Sequence, residues 1–76
     1  MTERDPRIDP VTGDIVRAPY VNGGKGVERH VVARRGNDID YVRVTPTNTS
    51  GTKNCWISTW RQWCQDERVE IIQRGQ

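Results

Sequence analysis

One stretch of the chain, residues 53–66, holds all three tryptophans and both cysteines. It reads K-N-C-W-I-S-T-W-R-Q-W-C-Q-D and carries three of the five aromatic side chains of the protein. A chain of 76 residues has little core to build from, and an aromatic side chain buries roughly 150–250 Å². The rest of the fold therefore has to be organised around this stretch.

The first part of this stretch, residues 54–57, is predicted to form a strand. Side chains alternate between the two faces of a strand, so Cys55 and Ile57 share one face and Trp56 points to the other. Trp56 is therefore expected either to be exposed or to pack beneath the N-terminal segment.

The same stretch continues as a short helix, predicted over residues 59–67. Trp60, Trp63 and Cys64 recur at spacings of three and four residues, which makes one helix face largely apolar. Thr59 and Gln62 have the spacing of a capping box. So short a helix does not persist alone in water, and its tryptophan face is expected to cover a sheet.

Strands separated by turn-forming residues are predicted along the remainder of the chain. Two runs rich in β-branched residues flank Arg35-Gly36-Asn37-Asp38, which predicts a β-hairpin. A first strand, a glycine loop, a polar loop and a closing strand are expected at residues 14–18, 20–26, 45–53 and 68–73. The predicted fold class is mainly β, an antiparallel barrel of about five strands with one short helix before the last strand.

The predicted domain organisation is a single small β-barrel domain at residues 11–73. Residues 1–10 are expected to form a flexible N-terminal tail, because their prolines disfavour helix, with Ile8 as the residue that could still attach it to the domain. Residues 74–76 are expected to form a frayed C-terminal tail. The N-terminal residues lack the apolar core of a signal peptide, and no run approaches the roughly 20 apolar residues of a membrane span. A cytoplasmic location is therefore expected.

Cysteine and histidine usage argues against catalysis. His30 is the only histidine, and nothing in the spacing pairs it with Cys55 or Cys64. Both cysteines lie among tryptophans and are expected to be buried thiols rather than a disulfide. A metal site is not expected, because zinc takes about four ligands. The sequence therefore predicts a non-enzyme without a cofactor.

Three short motifs follow one another along residues 12–72. They are T-G-D-I-V, the hairpin V-V-A-R-R-G-N-D-I-D-Y, and C-W-I-S-T-W-R-Q-W-C leading into V-E-I-I. Together they resemble small phage- and prophage-encoded accessory proteins that fold as Src-homology-3-like barrels, although the glycine loop here is longer than in many such barrels. The resemblance implies a viral or mobile-element origin and a binding role, and it supplies no catalytic residues.

The favoured function is stoichiometric binding of a host protein, with inhibition of a host defence or regulatory system as its purpose. Trp56, Tyr41 and Arg43 are the expected contact residues, because these residue types dominate interface energetics. An exposed edge strand would also allow pairing with a second copy of the chain in a homodimer.

The alternative function is binding of nucleic acid or a nucleotide through a basic hairpin face and the glycine loop. Arg29, Arg35 and Arg43 are expected to share one strand surface, which acidic residues of the same hairpin dilute. The candidate binding residues are Lys25, Arg29, Arg34, Arg35 and Lys53.

Overall fold

The computed structural model describes residues 4–75 and shows a mainly-β protein with one helix. The elements are β1 (Ile15–Ala18), β2 (Val27–Arg35), β3 (Asp38–Thr45), β4 (Asn48–Thr49), β5 (Lys53–Trp56), α1 (Ile57–Asp66) and β6 (Glu70–Gln73). A short 3-10 turn at Asn22–Gly24 lies within the predicted glycine loop. The mainly-β class, the antiparallel sheet and the helix before the last strand are confirmed.

The six strands form one antiparallel sheet, and five of them follow the order β4-β3-β2-β1-β6. β5 also pairs with β3, along residues 38–41, whereas β4 pairs with residues 44–45 of the same strand. Among the described residues, β5 and β6 do not pair with each other, so the sheet is not closed. α1 connects these two edge strands. β4 was not predicted, and it lies inside the expected polar loop.

The hairpin of β2 and β3 is confirmed, and its turn consists of Gly36 and Asn37 because Arg35 pairs with Asp38. Gly36 has a φ of 59°, a conformation that glycine adopts readily. The register shifts between Val31 and Ala33. Such a bulge adds one residue to a strand and reverses the faces beyond it.

The core lies between α1 and one face of the sheet, which we term the inner face; the uncovered side is the outer face. Trp60 is fully buried and its ring meets the ring of Tyr41 edge-on, with centroids 5.7 Å apart. The buried cluster consists of Val16, Ala18, Val31, Ile39, Tyr41, Ile57, Trp60, Cys64 and Val69.

The helix begins at Ile57, earlier than predicted, with Trp56 as its N-cap residue. The predicted capping box is wrong, because no side chain caps this end and Gln62 donates instead to Asp66. The backbone N–H of Ile57 donates to the carbonyl oxygen of Asn37 at 2.8 Å. The turn of the hairpin thus satisfies one of the helix's free N–H groups. The predicted apolar helix face is confirmed.

Both ends of the described chain pack against the domain, unlike the tails expected at residues 1–10 and 74–76. Pro6 and Pro10 are buried, and the indole Nε1 of Trp60 donates to the carbonyl oxygen of Pro6 at 3.0 Å. At the other end, the N–H of Gly75 donates to a carboxylate oxygen of Asp14 at 2.6 Å. The packed unit therefore extends beyond residues 11–73, and residues 1–3 and 76 lie outside the described part. Within residues 4–75 no helix has the length and apolar character needed to cross a bilayer.

Candidate functional site

Trp56 is the largest side chain exposed on the outer face, with 52% of its surface accessible. It ends the edge strand β5 and pairs across the sheet with Asp38. Cys55 faces the core, as the alternation predicted, and Ile57 is also buried there, although it belongs to α1 and not to the strand. Of the two expected positions of Trp56 the structure shows the exposed one, because the N-terminal segment packs on Trp60 instead.

Polar side chains surround Trp56 on the outer face. Asn54, on the same strand face, donates to Asp40 at 2.9 Å. Arg35 forms an ion pair with the same carboxylate at 2.7 Å. The polar groups near the exposed indole therefore bind one another, and the charge of Arg35 is neutralised by Asp40.

The expected contact residues Tyr41 and Arg43 do not share a surface with Trp56. Tyr41 is only 7% exposed and packs in the core, so a direct contact of its ring with a partner does not fit the structure. Arg43 alternates with Val44 and lies on the inner face with Tyr41. The predicted trio is divided between the two faces of the sheet.

The predicted common surface of Arg29, Arg35 and Arg43 is also wrong. The bulge in β2 places Arg35 on the outer face, whereas Arg29 and Arg43 lie opposite each other on the inner face. Arg34 is used in packing, because its Nη1 donates to Asp9 at 2.8 Å and to the carbonyl oxygen of Pro10 at 2.7 Å. Neither Arg34 nor Arg35 is thus available as a free cation.

Arg29 lies against three aromatic rings, and we term these four residues the Arg29 cluster. Its guanidinium carbon is 3.7 Å from the ring centroid of Trp63, 4.5 Å from that of Tyr41 and 5.8 Å from that of Trp60. A cation over aromatic faces at these distances is attracted by the ring quadrupoles. The sequence marked Arg29 only as a basic strand residue, and no local signal predicts that α1 places two tryptophans over it.

Among the described residues, the guanidinium of Arg29 has aromatic neighbours but no hydrogen-bond acceptor. Its Nε is buried without a partner in residues 4–75, and no ion pair involves this side chain there. Burial lowers the pKa of Arg29 from its usual value, only partly opposed by the nearby hydroxyl and thiol groups. An unpaired, partly desolvated cation is costly, which makes the cluster a second candidate site.

The two remaining basic candidates differ in position. Lys25 is exposed in the loop between β1 and β2, where its carbonyl oxygen accepts a hydrogen bond from Arg17 at 3.3 Å. Lys53 pairs across the sheet with Tyr41 and so lies on the inner face. Lys53, and not Lys25, is therefore on the same face as Arg29 and Arg43.

Both cysteines are free thiols, as expected; Cys64 is buried and Cys55 half-buried. Burial raises the pKa of the Cys64 thiol to about 12, and it also raises that of Cys55. A thiol in this state is a poor nucleophile because the reactive species is the thiolate. Within the described chain no group of three or more His, Cys, Asp or Glu side chains is arranged to hold a metal ion.

We expect native Cys64 to resist thiol reagents at neutral pH. With a pKa of about 12, roughly one thiol in 10⁵ is ionised at pH 7. In a Cys55→Ser variant, Ellman's reagent should react with Cys64 only after denaturant is added. Because the folded state raises this pKa, the contribution of the protonated Cys64 thiol to the free energy of unfolding is complete below about pH 9. It is lost progressively between about pH 9 and 12. Native labelling at the rate of a free cysteine would contradict the buried position.

The fold and the two candidate sites define a class: a small open-sheet β protein whose one helix covers the inner face. No known protein family, curated protein or solved structure matches this chain at a significant level.

Proposed function

We propose that this is a non-enzymatic binding protein that associates stoichiometrically with a protein partner through the outer face around Trp56. The observation that carries the proposal is the half-exposed indole on an edge strand. Tryptophan is among the residues that contribute most to protein interfaces, usually inside a polar rim. The paired groups of Asn54, Asp40 and Arg35 supply such a rim.

A protein partner suits this surface better than nucleic acid does. Arg35, which pairs with Asp38 across the β2–β3 ladder, is already neutralised by Asp40, and Asp38 adds a negative charge beside the indole. Phosphate backbones need a surplus of positive charge. The outer edge of β5 also offers backbone groups to which a strand of a partner can add.

The resemblance to small phage and prophage proteins supports a more specific form of this proposal. In this form, the partner is a host protein of a defence or regulatory system in the host cytoplasm. Binding of the present protein inhibits that partner by occupying its surface. A second copy of the chain, added at the β5 edge, is the competing occupant of the same surface.

A capture experiment tests the role of Trp56. Tagged protein is incubated with host lysate with and without nuclease, and Trp56→Ala is compared with Ile72→Ala, a matched exposed apolar residue on the opposite edge strand. A stoichiometric protein band should survive nuclease with the native protein and Ile72→Ala. Trp56→Ala should weaken binding of the captured protein by about 30-fold or more, while a thermal melt shows that the variant remains folded.

Equal capture by Trp56→Ala and the native protein would show that the outer face around Trp56 is not the binding surface. Recovery of nucleic acid alone, or a band lost on nuclease treatment, would favour the second candidate function, nucleic-acid or nucleotide binding. For that function Arg34 and Arg35 are not available, because both form ion pairs, whereas Arg29 and Lys53 remain as cations on the inner face. Its affinity would fall steeply with salt.

A further inference from the structure

In the β2–β3 hairpin, the acidic side chains and two of the arginines lie on different faces of the sheet. Glu28, Asp38 and Asp40 alternate with the core residues and lie on the outer face. Arg29 and Arg43 lie on the inner face, directly opposite each other in the β2–β3 ladder. The acidic residues that dilute the charge of this hairpin in the sequence are therefore on the other side of the sheet.

Two guanidinium groups placed opposite each other repel. Side chains in this position have Cβ atoms about 4.5–5.5 Å apart, and like charges there are destabilising. Within residues 4–75, neither the Arg29 nor the Arg43 guanidinium takes part in an ion pair or a hydrogen bond. The Arg43 backbone N–H is bonded to Ser50, but this leaves its side chain unpaired. The pair lacks the anion that would neutralise it.

We propose that Arg29 and Arg43, with Lys53 beside them, form a binding site for the phosphate group of a small ligand. Lys53 pairs with Tyr41, which is next but one to Arg43 on the same strand face. Three cations that form no ion pair within residues 4–75 match a phosphate, which carries up to two negative charges and several acceptor oxygens. This site is on the opposite face from Trp56 and does not depend on the protein-binding proposal.

The aromatic rings prepare Arg29 for this role. The guanidinium carbon lies 3.7 Å from the ring centroid of Trp63 and 4.5 Å from that of Tyr41, so these rings restrict the side chain and little of its freedom remains to be lost when a ligand binds. Both arginines are only half-buried, which leaves part of each side chain open to a ligand. A bound oxyanion would supply the acceptors that the stacked cation lacks.

Trp63 extends the site towards an organic group. It also lines an open groove of about 500 Å³ on the helix surface, together with Ser58, Thr59, Gln62 and Asp66. Trp63 is the residue that this groove shares with the Arg29 cluster, so a planar ring attached to the bound phosphate is expected to contact its indole. Ligands that carry both a phosphate and an aromatic ring should therefore bind more tightly than inorganic phosphate.

Isothermal titration calorimetry with inorganic phosphate and with adenosine monophosphate tests the site. Saturable binding of one ligand per chain is expected, with the nucleotide the tighter of the two. Arg43→Gln should weaken binding about tenfold or more, since it removes charge-assisted hydrogen bonds. Arg35→Gln, an arginine of the same hairpin on the outer face, is the matched control and should bind as the native protein does.

Arg43→Gln is used first because Arg43 lies outside the aromatic stack, and Lys53→Gln is a second variant at an exposed position. Thermal melts establish that both variants fold. Equal affinity for phosphate and adenosine monophosphate would support the phosphate site but would show that Trp63 does not bind the ring of the ligand. No binding of either probe at millimolar concentration, or equal weakening by Arg35→Gln, would overturn the proposal.

Discussion

Trp60→Ala is expected to lower the free energy of unfolding by about 3–5 kcal/mol, the usual cost of truncating a buried tryptophan. Trp60 is fully buried, meets Tyr41 edge-on, and donates from its indole to the carbonyl oxygen of Pro6. The change removes the centre of the core and one of the hydrogen bonds that hold the N-terminal segment. Because a domain of this size has only about 5 kcal/mol to lose, much of the variant should be unfolded at 37 °C.

Urea denaturation followed by circular dichroism measures this effect. Trp56→Ala is the matched control, since it removes the same side chain from a half-exposed position and should cost well under half as much. Trp60→Phe keeps an aromatic ring against Tyr41 but loses the bond to Pro6, so its cost should be intermediate. Similar losses for Trp60→Ala and Trp56→Ala would refute the central place of Trp60 in the core.

Asp14→Asn is expected to destabilise the protein by about 3 kcal/mol, because it breaks a buried ion pair from one side. Asp14 is fully buried and accepts from Arg4 at 2.6 Å, from the N–H of Val11 at 2.7 Å and from the N–H of Gly75 at 2.6 Å. One carboxylate thus joins the N-terminal segment, the first turn and the C-terminal end. Replacing it removes the charge that all three donors face.

Lowering the pH should also remove the contribution of Asp14 to stability. Burial raises the pKa of Asp14, but the hydrogen bonds from Arg4, Val11 and Gly75 outweigh burial, and the pKa lies below the usual 3.8. Its contribution to stability is therefore complete above about pH 4 and is lost as the pH falls below 3.8 through the folded-state pKa. Melting temperatures between pH 2 and 7 should fall more steeply with acid for the native protein than for Asp14→Asn.

Asp9→Asn is the matched control for Asp14→Asn. Asp9 also pairs with an arginine, Arg34 at 2.8 Å, but its side chain is 56% exposed. An exposed ion pair contributes up to about 1 kcal/mol. Equal destabilisation by the two variants would mean that the buried junction of Asp14 adds nothing beyond a surface salt bridge.

Local patterns in the sequence were sufficient for most of the secondary structure. The turn at Gly36 and Asn37 follows from two β-branched runs around residues that favour tight turns, and the structure confirms the hairpin. The apolar face of Trp60, Trp63 and Cys64 follows from helical spacing, which also holds in the structure. The opposite directions of Trp56 and Cys55 follow from strand alternation.

The start of α1 and the existence of β4 were missed for different reasons. Ile57 can begin the helix because Asn37, distant in sequence, provides a carbonyl acceptor. Asn48–Thr49 becomes a strand only because the end of β3 offers it a ladder partner. The partner of Ile57 is twenty residues away, whereas the partners of β4 are the adjacent residues 44–45, and two residues are too few to show an alternating pattern.

The sequence by itself determined the class of the fold, the central hairpin, the amphipathic helix and the direction of Trp56, because each depends on neighbours within a few residues. Only the tertiary structure decided which charges are free. The bulge in β2 moved Arg35 to the outer face, and α1 brought Trp63 over Arg29. The inner-face cations and the Asp14 junction depend on contacts between distant segments, and residue spacing does not encode those contacts.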